Sequence, residues 1–114
     1  MLNPDSHPAS FNAALVFAAL GDHTRLSLLR KLNGGESRSI ARLSADFDLT
    51  RQAVTKHLRV LEDAGLVAVN HIGRESQYVL RPEPITAARG YLDGVSQQWE
   101  DALGRLRAFV EREE

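Results

Sequence analysis

Between Ser39 and Gly65, two amphipathic helical patterns are separated by so little chain that the helices must turn sharply onto one another. In the first, Ile40, Leu43 and Phe47 fall at i, i+3 and i+7 and make one apolar stripe, with Ser37 or Ser39 ahead of it as the capping residue. This pattern ends near Asp48. After Asp48-Leu49, Thr50 is placed to cap a longer helix, Arg51 to Ala64. Gly65 suits the left-handed position just past that helix, and Leu66 folds back on Leu61, the apolar contact of a Schellman stop. Two short helices joined by so brief a link form a helix-turn-helix unit, and the rest of the chain has to be built around it.

Upstream, Phe11 to Leu20 is apolar and rich in helix formers, and Gly21-Asp22 breaks it. Asp22 then caps a second helix in which Leu26, Leu29 and Leu32 keep helical spacing until Gly34-Gly35. Downstream, Val67 to Ile72 and Gln77 to Arg81 are short strand-like runs separated by Gly73-Arg74-Glu75-Ser76, a β-hairpin. Pro82-Glu83-Pro84 stops the second strand and opens a long helix, 84–112. The expected fold is mainly helical with one small hairpin: four helices, two strands and a fifth helix.

A chain of 114 residues has room for one core, so residues 11–114 are taken as a single domain. Residues 1–10 (MLNPDSHPAS) hold two prolines and no apolar run, which suggests a disordered tail and neither a secretory signal nor a membrane anchor. A cytoplasmic location, with no membrane partner, is the default expectation. Without cysteine there is no disulfide framework, thiolate nucleophile or thiolate metal site.

The net charge of −1 hides an uneven distribution. From Thr24 to Arg59, Arg25, Arg30, Lys31, Arg38, Arg42, Arg51, Lys56 and Arg59 stand against only Glu36, Asp46 and Asp48, whereas acids outnumber bases from Asp93 to the end. At about 100° per residue, Gln52, Thr55, Lys56, Arg59, Glu62 and Asp63 share one side of the fourth helix with Arg51. Val54, Leu58, Leu61, Ala64 and Ala53 take the other side. The first two turns thus carry Arg51, Gln52, Thr55 and Lys56, and both acids lie at the far end. Duplex DNA needs cations for phosphate and paired donors or acceptors for base edges, which Arg and Gln supply, with Thr available for a thymine methyl.

Two segments carry a family likeness. A-L-G-D-H-T-R-L-S-L-L-R at 19–30 and L-T-R-Q-A-V-T-K-H-L-R-V-L-E-D-A-G-L-V at 49–67 resemble the ArsR/SmtB family of winged helix-turn-helix repressors. Gly73-Arg74 and Tyr78-Val79-Leu80 continue the likeness, so it covers about Phe11 to Leu80, and R-Q-A-V-T-K-H-L is similar to members without metal sites. The resemblance implies a homodimer on a palindromic operator in double-stranded DNA, each fourth helix in a major groove and each wing beside the adjacent minor groove. Arg51, Gln52, Thr55 and Lys56 become base-reading candidates, Arg59 a phosphate contact and Arg74 the wing tip, where a narrow minor groove attracts Arg.

Metal sensing is not expected. His7, His23, His57 and His71 never pair at i, i+3 or i, i+4, and the long last helix has no histidine. His57 lies beside the buried face, where a packed histidine holding a backbone carbonyl is the simplest reading. Asp22 and His23 read as a cap and first turn. No cofactor is implied, and no phosphate-binding, nucleophile-elbow or zinc-protease motif points to an enzyme. The alternative is a winged-helix module that binds a protein through its basic helix. Loss of binding to every duplex at low salt would favour it.

Along the last helix Leu92, Val95, Trp99, Leu103, Leu106 and Phe109 or Val110 recur at steps of three and four, a seam too long for one small core. A partner helix is implied, although the first helix has the composition to cover part of it. Tyr91 and Trp99 at this seam are read as interface core, with an interfacial ligand pocket as the other use of such aromatics. No effector is specified.

Overall fold

The computed structural model describes residues 12–112, so the proposed tail 1–10 and Phe11 lie outside the described residues. Eight elements follow in order: α1 (Ala13–Leu20), α2 (His23–Lys31), β1 (Arg38–Ser39), α3 (Ile40–Ser44), α4 (Arg51–Asp63), β2 (Val67–Ile72), β3 (Glu75–Leu80) and α5 (Glu83–Arg112). The fold is the expected winged helix-turn-helix with one added strand.

Side-chain caps set the helix starts. Asn12, Asp22, Ser39 and Thr50 each accept a hydrogen bond from the backbone N–H three residues on, at Leu15, Arg25, Arg42 and Ala53. Of the two serines considered for α3, Ser39 is the cap. At the end of α4 the N–H of Leu66 reaches the Leu61 carbonyl and that of Gly65 the Glu62 carbonyl, both at 2.9 Å, which is the Schellman pair. Gly65 has φ +77°. A side chain there is strained by roughly 1–2 kcal/mol, so Gly65→Ala should lower unfolding stability by about that much. The test is a urea titration in which the midpoint falls and the slope stays the same.

Besides shifts of a residue at element ends, three features differ from the sequence expectation. α3 ends at Ser44, not near Asp48, because the chain tightens: the Ala45 N–H bonds to the Arg42 carbonyl and the Phe47 N–H to that of Ser44. Phe47 still packs against the core from this turn. The hairpin link is Gly73-Arg74 rather than four residues, with Ile72 opposite Glu75. Gly73 has φ +64° and no described non-glycine residue has positive φ, the pattern of a type II′ turn, whose twist lets both strands continue to the tip.

The third difference is β1, which sequence reasoning missed. Arg38 pairs with Tyr78 and Ser39 with Gln77, so the sheet has the order β1-β3-β2. Two residues are too short for any periodicity to show. The pairing nonetheless ties the wing to the start of α3.

The core is built from Val16 and Ala19 of α1, Leu28, Leu29 and Leu32 in and after α2, Leu43 of α3, and Val54, Leu58 and Leu61 of α4. Ala64, Leu66, Val67, Tyr78 and Ala88 complete it. It stops early on α5, where the 30-residue helix buries only Pro84 and Ala88. The far part of α5 leaves the body: from Arg89 to Arg112 every residue is exposed except Val95 and Ala102.

Candidate nucleic-acid interface

Because Val54, Leu58 and Leu61 bury one face of α4, the opposite face must point away from the body. Arg51, Gln52, Lys56 and Arg59 are exposed there, and Thr55 is half-buried among them. The Thr55 hydroxyl donates to the Arg51 carbonyl at 2.7 Å. Arg74 is exposed at the wing tip.

The cations divide into two groups. Lys31 pairs with Asp46, and this contact holds the Asp46 carboxyl below its usual pKa. Arg38 donates through Nε to the Lys31 carbonyl at 2.8 Å and has Glu36 at 3.8 Å, and Arg81 has Glu83 at 3.5 Å. By contrast, Arg51, Gln52, Lys56, Arg59 and Arg74 make no side-chain hydrogen bond or ion pair among the described residues. The internally satisfied cations hold the fold; of the unpaired ones, Arg51, Lys56 and Arg59 share the outward face of α4 and Arg74 stands at the wing tip, whereas Arg30, Arg42, Arg89, Arg105 and Arg107 lie on other helices.

Arg25, counted in the basic stretch, belongs to the first group. Its guanidinium donates through Nε to the Ala19 carbonyl at 2.7 Å, through one terminal nitrogen to the Ala18 carbonyl at 3.3 Å, and lies 3.1 Å from His57 Nδ1. His57 is therefore a hydrogen-bonded, half-buried residue as expected, but not one holding a backbone carbonyl: its neighbour Arg25 does that. Asp22 Oδ2 accepts the Arg25 N–H at 3.0 Å, the main reason its carboxyl stays below the ordinary aspartate pKa, and it lies 3.8 Å from His57. This joint locks α1 and α2 to α4. The Asp22-x-x-Arg25 spacing and the inward side of His57 were the available signals, but nothing in the sequence says that the two ends meet.

Between α4 and the sheet runs a groove lined by Thr55, Arg59, Glu62, Asp63, His71 and Ser76, with Tyr78 at its base. Burial pushes the Tyr78 phenol pKa up, with Glu62 adding and Arg59 opposing, so the ring stays neutral. Arg59 thus looks across a groove towards the wing, two turns away from Arg51. A second concavity lies between Ile40 of α3 and the first turns of α4.

On α5, Leu92, Trp99, Leu103 and Leu106 are exposed, as are Tyr91, Phe109 and Val110, and Val95 is half-buried. α1 meets the near end of this helix, where the Phe17 and Tyr91 rings lie 5.8 Å apart and tilted by 52°. Beyond that contact the seam has no cover among the described residues.

Residues 20–70 match the family model described as a helix-turn-helix domain. The uncharacterized HTH-type transcriptional regulator YuzN of Bacillus subtilis is 38% identical over 65% of this chain and 87% of its own length. The HTH-type transcriptional regulator Rv2034 of Mycobacterium tuberculosis is 33% identical over 83% and 85%. Among solved structures, an ArsR-like transcriptional regulator from Rhodococcus sp. RHA1 is 32% identical with a TM-score of 0.75, over 89% of this chain and 92% of that one. With the helix-turn-helix, the wing and the outward cations already in place, these likenesses identify the chain as a DNA-binding transcriptional regulator of the ArsR family.

Proposed function

We propose that the chain is a dimeric repressor that binds a palindromic operator, with α4 of each protomer in a major groove and each wing at the flanking minor groove. The observation that carries this reading is the clustering of donors on the helix-turn-helix: Arg51, Gln52, Lys56 and Arg59 are exposed without partners among the described residues along the outward face of α4, and Arg74 is likewise free at the wing tip. Leaving several like charges unpaired on one side of a small domain is unfavourable until a polyanion arrives. Arg51, Gln52, Thr55 and Lys56 read base edges in this scheme, while Arg59 and Arg74 engage phosphate and the minor groove. The second copy covers Leu92, Val95, Trp99, Leu103 and Leu106, and its two-fold symmetry makes the operator a palindrome. A dimer seated on duplex excludes whatever else would bind there, so occupancy alone represses.

No metal or other cofactor enters the proposed action. His57 is committed to Arg25, and His71 Nδ1 lies 3.2 Å from the Ser76 hydroxyl. As a regulator acting on DNA, the protein works in the cytoplasm.

Titrating a fixed duplex across salt concentrations tests the assignment of cations. Arg59→Ala and Arg74→Ala should each weaken binding to all duplexes alike and make the slope of log affinity against log salt shallower, by about one for each phosphate left without its cation. An unchanged slope for both variants would remove them from the interface.

A further inference from the structure

The recognition end of α4 is not uniformly polar. The concavity beside α3 has a surface that is mostly carbon: half-buried Ile40, Ala53 and Thr55 line it together with exposed Thr50, Arg51, Gln52 and Lys56. No described segment covers it. Thr55 is held in a particular way, because its hydroxyl proton is already donated to the Arg51 carbonyl at 2.7 Å. What remains for a base edge is its methyl group and acceptor lone pairs.

In the major groove the donors and acceptors of the four bases are polar, and the one apolar projection is the 5-methyl group of thymine. An apolar seat ringed by cations and an amide matches that projection and no other group on the base edges. Resting on the reading of α4 as the base-reading helix, we infer that the depression between α3 and α4 receives one thymine methyl in each half-site. The polar groups around the seat meet the neighbouring base edges and phosphates. The preference for thymine at that position therefore comes from a carbon surface shared by two helices, not from a hydrogen bond.

The test starts from a duplex that the protein prefers, with each thymine replaced in turn by deoxyuridine, which removes the methyl and keeps every hydrogen-bonding atom. One position per half-site should lose roughly fourfold in affinity, the worth of one buried methyl, and the others much less. Thr55→Ser deletes the side-chain methyl but retains the bond to Arg51, and should lower the thymine-to-deoxyuridine ratio. Thr55→Val retains the methyl and should keep that ratio. Insensitivity to deoxyuridine at every position, or a preferred half-site without thymine, overturns the inference. It leaves base reading by α4 standing if Arg51→Ala and Gln52→Ala still alter sequence preference. A protein that shows no sequence preference at all overturns both.

Discussion

Trp99→Ala is expected to raise the dimer dissociation constant by at least about a hundredfold, because deleting a buried Trp side chain costs roughly 3–5 kcal/mol and each 1.4 kcal/mol is a factor of ten. Within one protomer Trp99 is 65% exposed, so it contributes little to the protomer's own core. Leu103 and Leu106, at 53% and 57% exposure, stand on the same side of α5. Helix α5 has no reason to remain extended from the body unless that side is covered, and a heptad-spaced seam is complementary to a second copy of itself. The variant should sediment as a monomer at micromolar concentration while retaining its helical circular dichroism. That combination separates loss of assembly from loss of fold. A variant dimer as tight as the original, or an original that is monomeric, would remove the two-fold axis from the account.

The second large effect concerns α4. Arg51→Ala and Gln52→Ala should each cost about 1–3 kcal/mol per half-site on the preferred duplex and relax preference at one base pair. On a palindrome each substitution is made twice, so the loss approaches double that of an isolated half-site. Both side chains are exposed in the first turn of α4, where the Thr50 cap fixes the helix start through its bond from the Ala53 N–H at 3.0 Å. Neither has a partner to lose among the described residues, so stability should hold while binding falls. Competition binding against duplexes with single base changes measures the relaxation. Preference left intact in both variants would favour a protein partner for the basic helix.

Most of the fold was legible because its signals are local. Thr50, Gly65 and the Val54-Leu58-Leu61 stripe define α4 from residues within a few positions of one another, and the structure reproduces that helix to within a residue. The hairpin was legible in existence but not in length: Glu75 and Ser76 resemble loop residues until Gly73 is seen to take the positive φ that makes a two-residue turn. β1 was invisible since its two residues owe their conformation to β3, far along the chain, not to their own pattern.

The site was legible at the level of faces and less so at the level of charges. Helical periodicity places Arg51, Gln52, Lys56 and Arg59 outward, and their exposure agrees. A count of basic residues could not separate Arg25 and Lys31, which serve internal contacts, from cations left unpaired, because their partners Ala18, Ala19, His57 and Asp46 are brought to them only by folding. The carbon-lined seat beside Ile40 was hidden for the same reason, as it needs α3 and α4 side by side.

In the proposed dimer, two copies of this chain read duplex DNA symmetrically through α4. Selection of bound duplexes from a random pool, followed by sequencing, tests it most directly. The expected result is an inverted repeat whose half-site centres lie about 10 base pairs apart or a multiple of that. Enrichment should be lost at matching positions of both halves when Arg51 or Gln52 is replaced. Enrichment of a single unrepeated motif, or no enrichment above the starting pool, would contradict it.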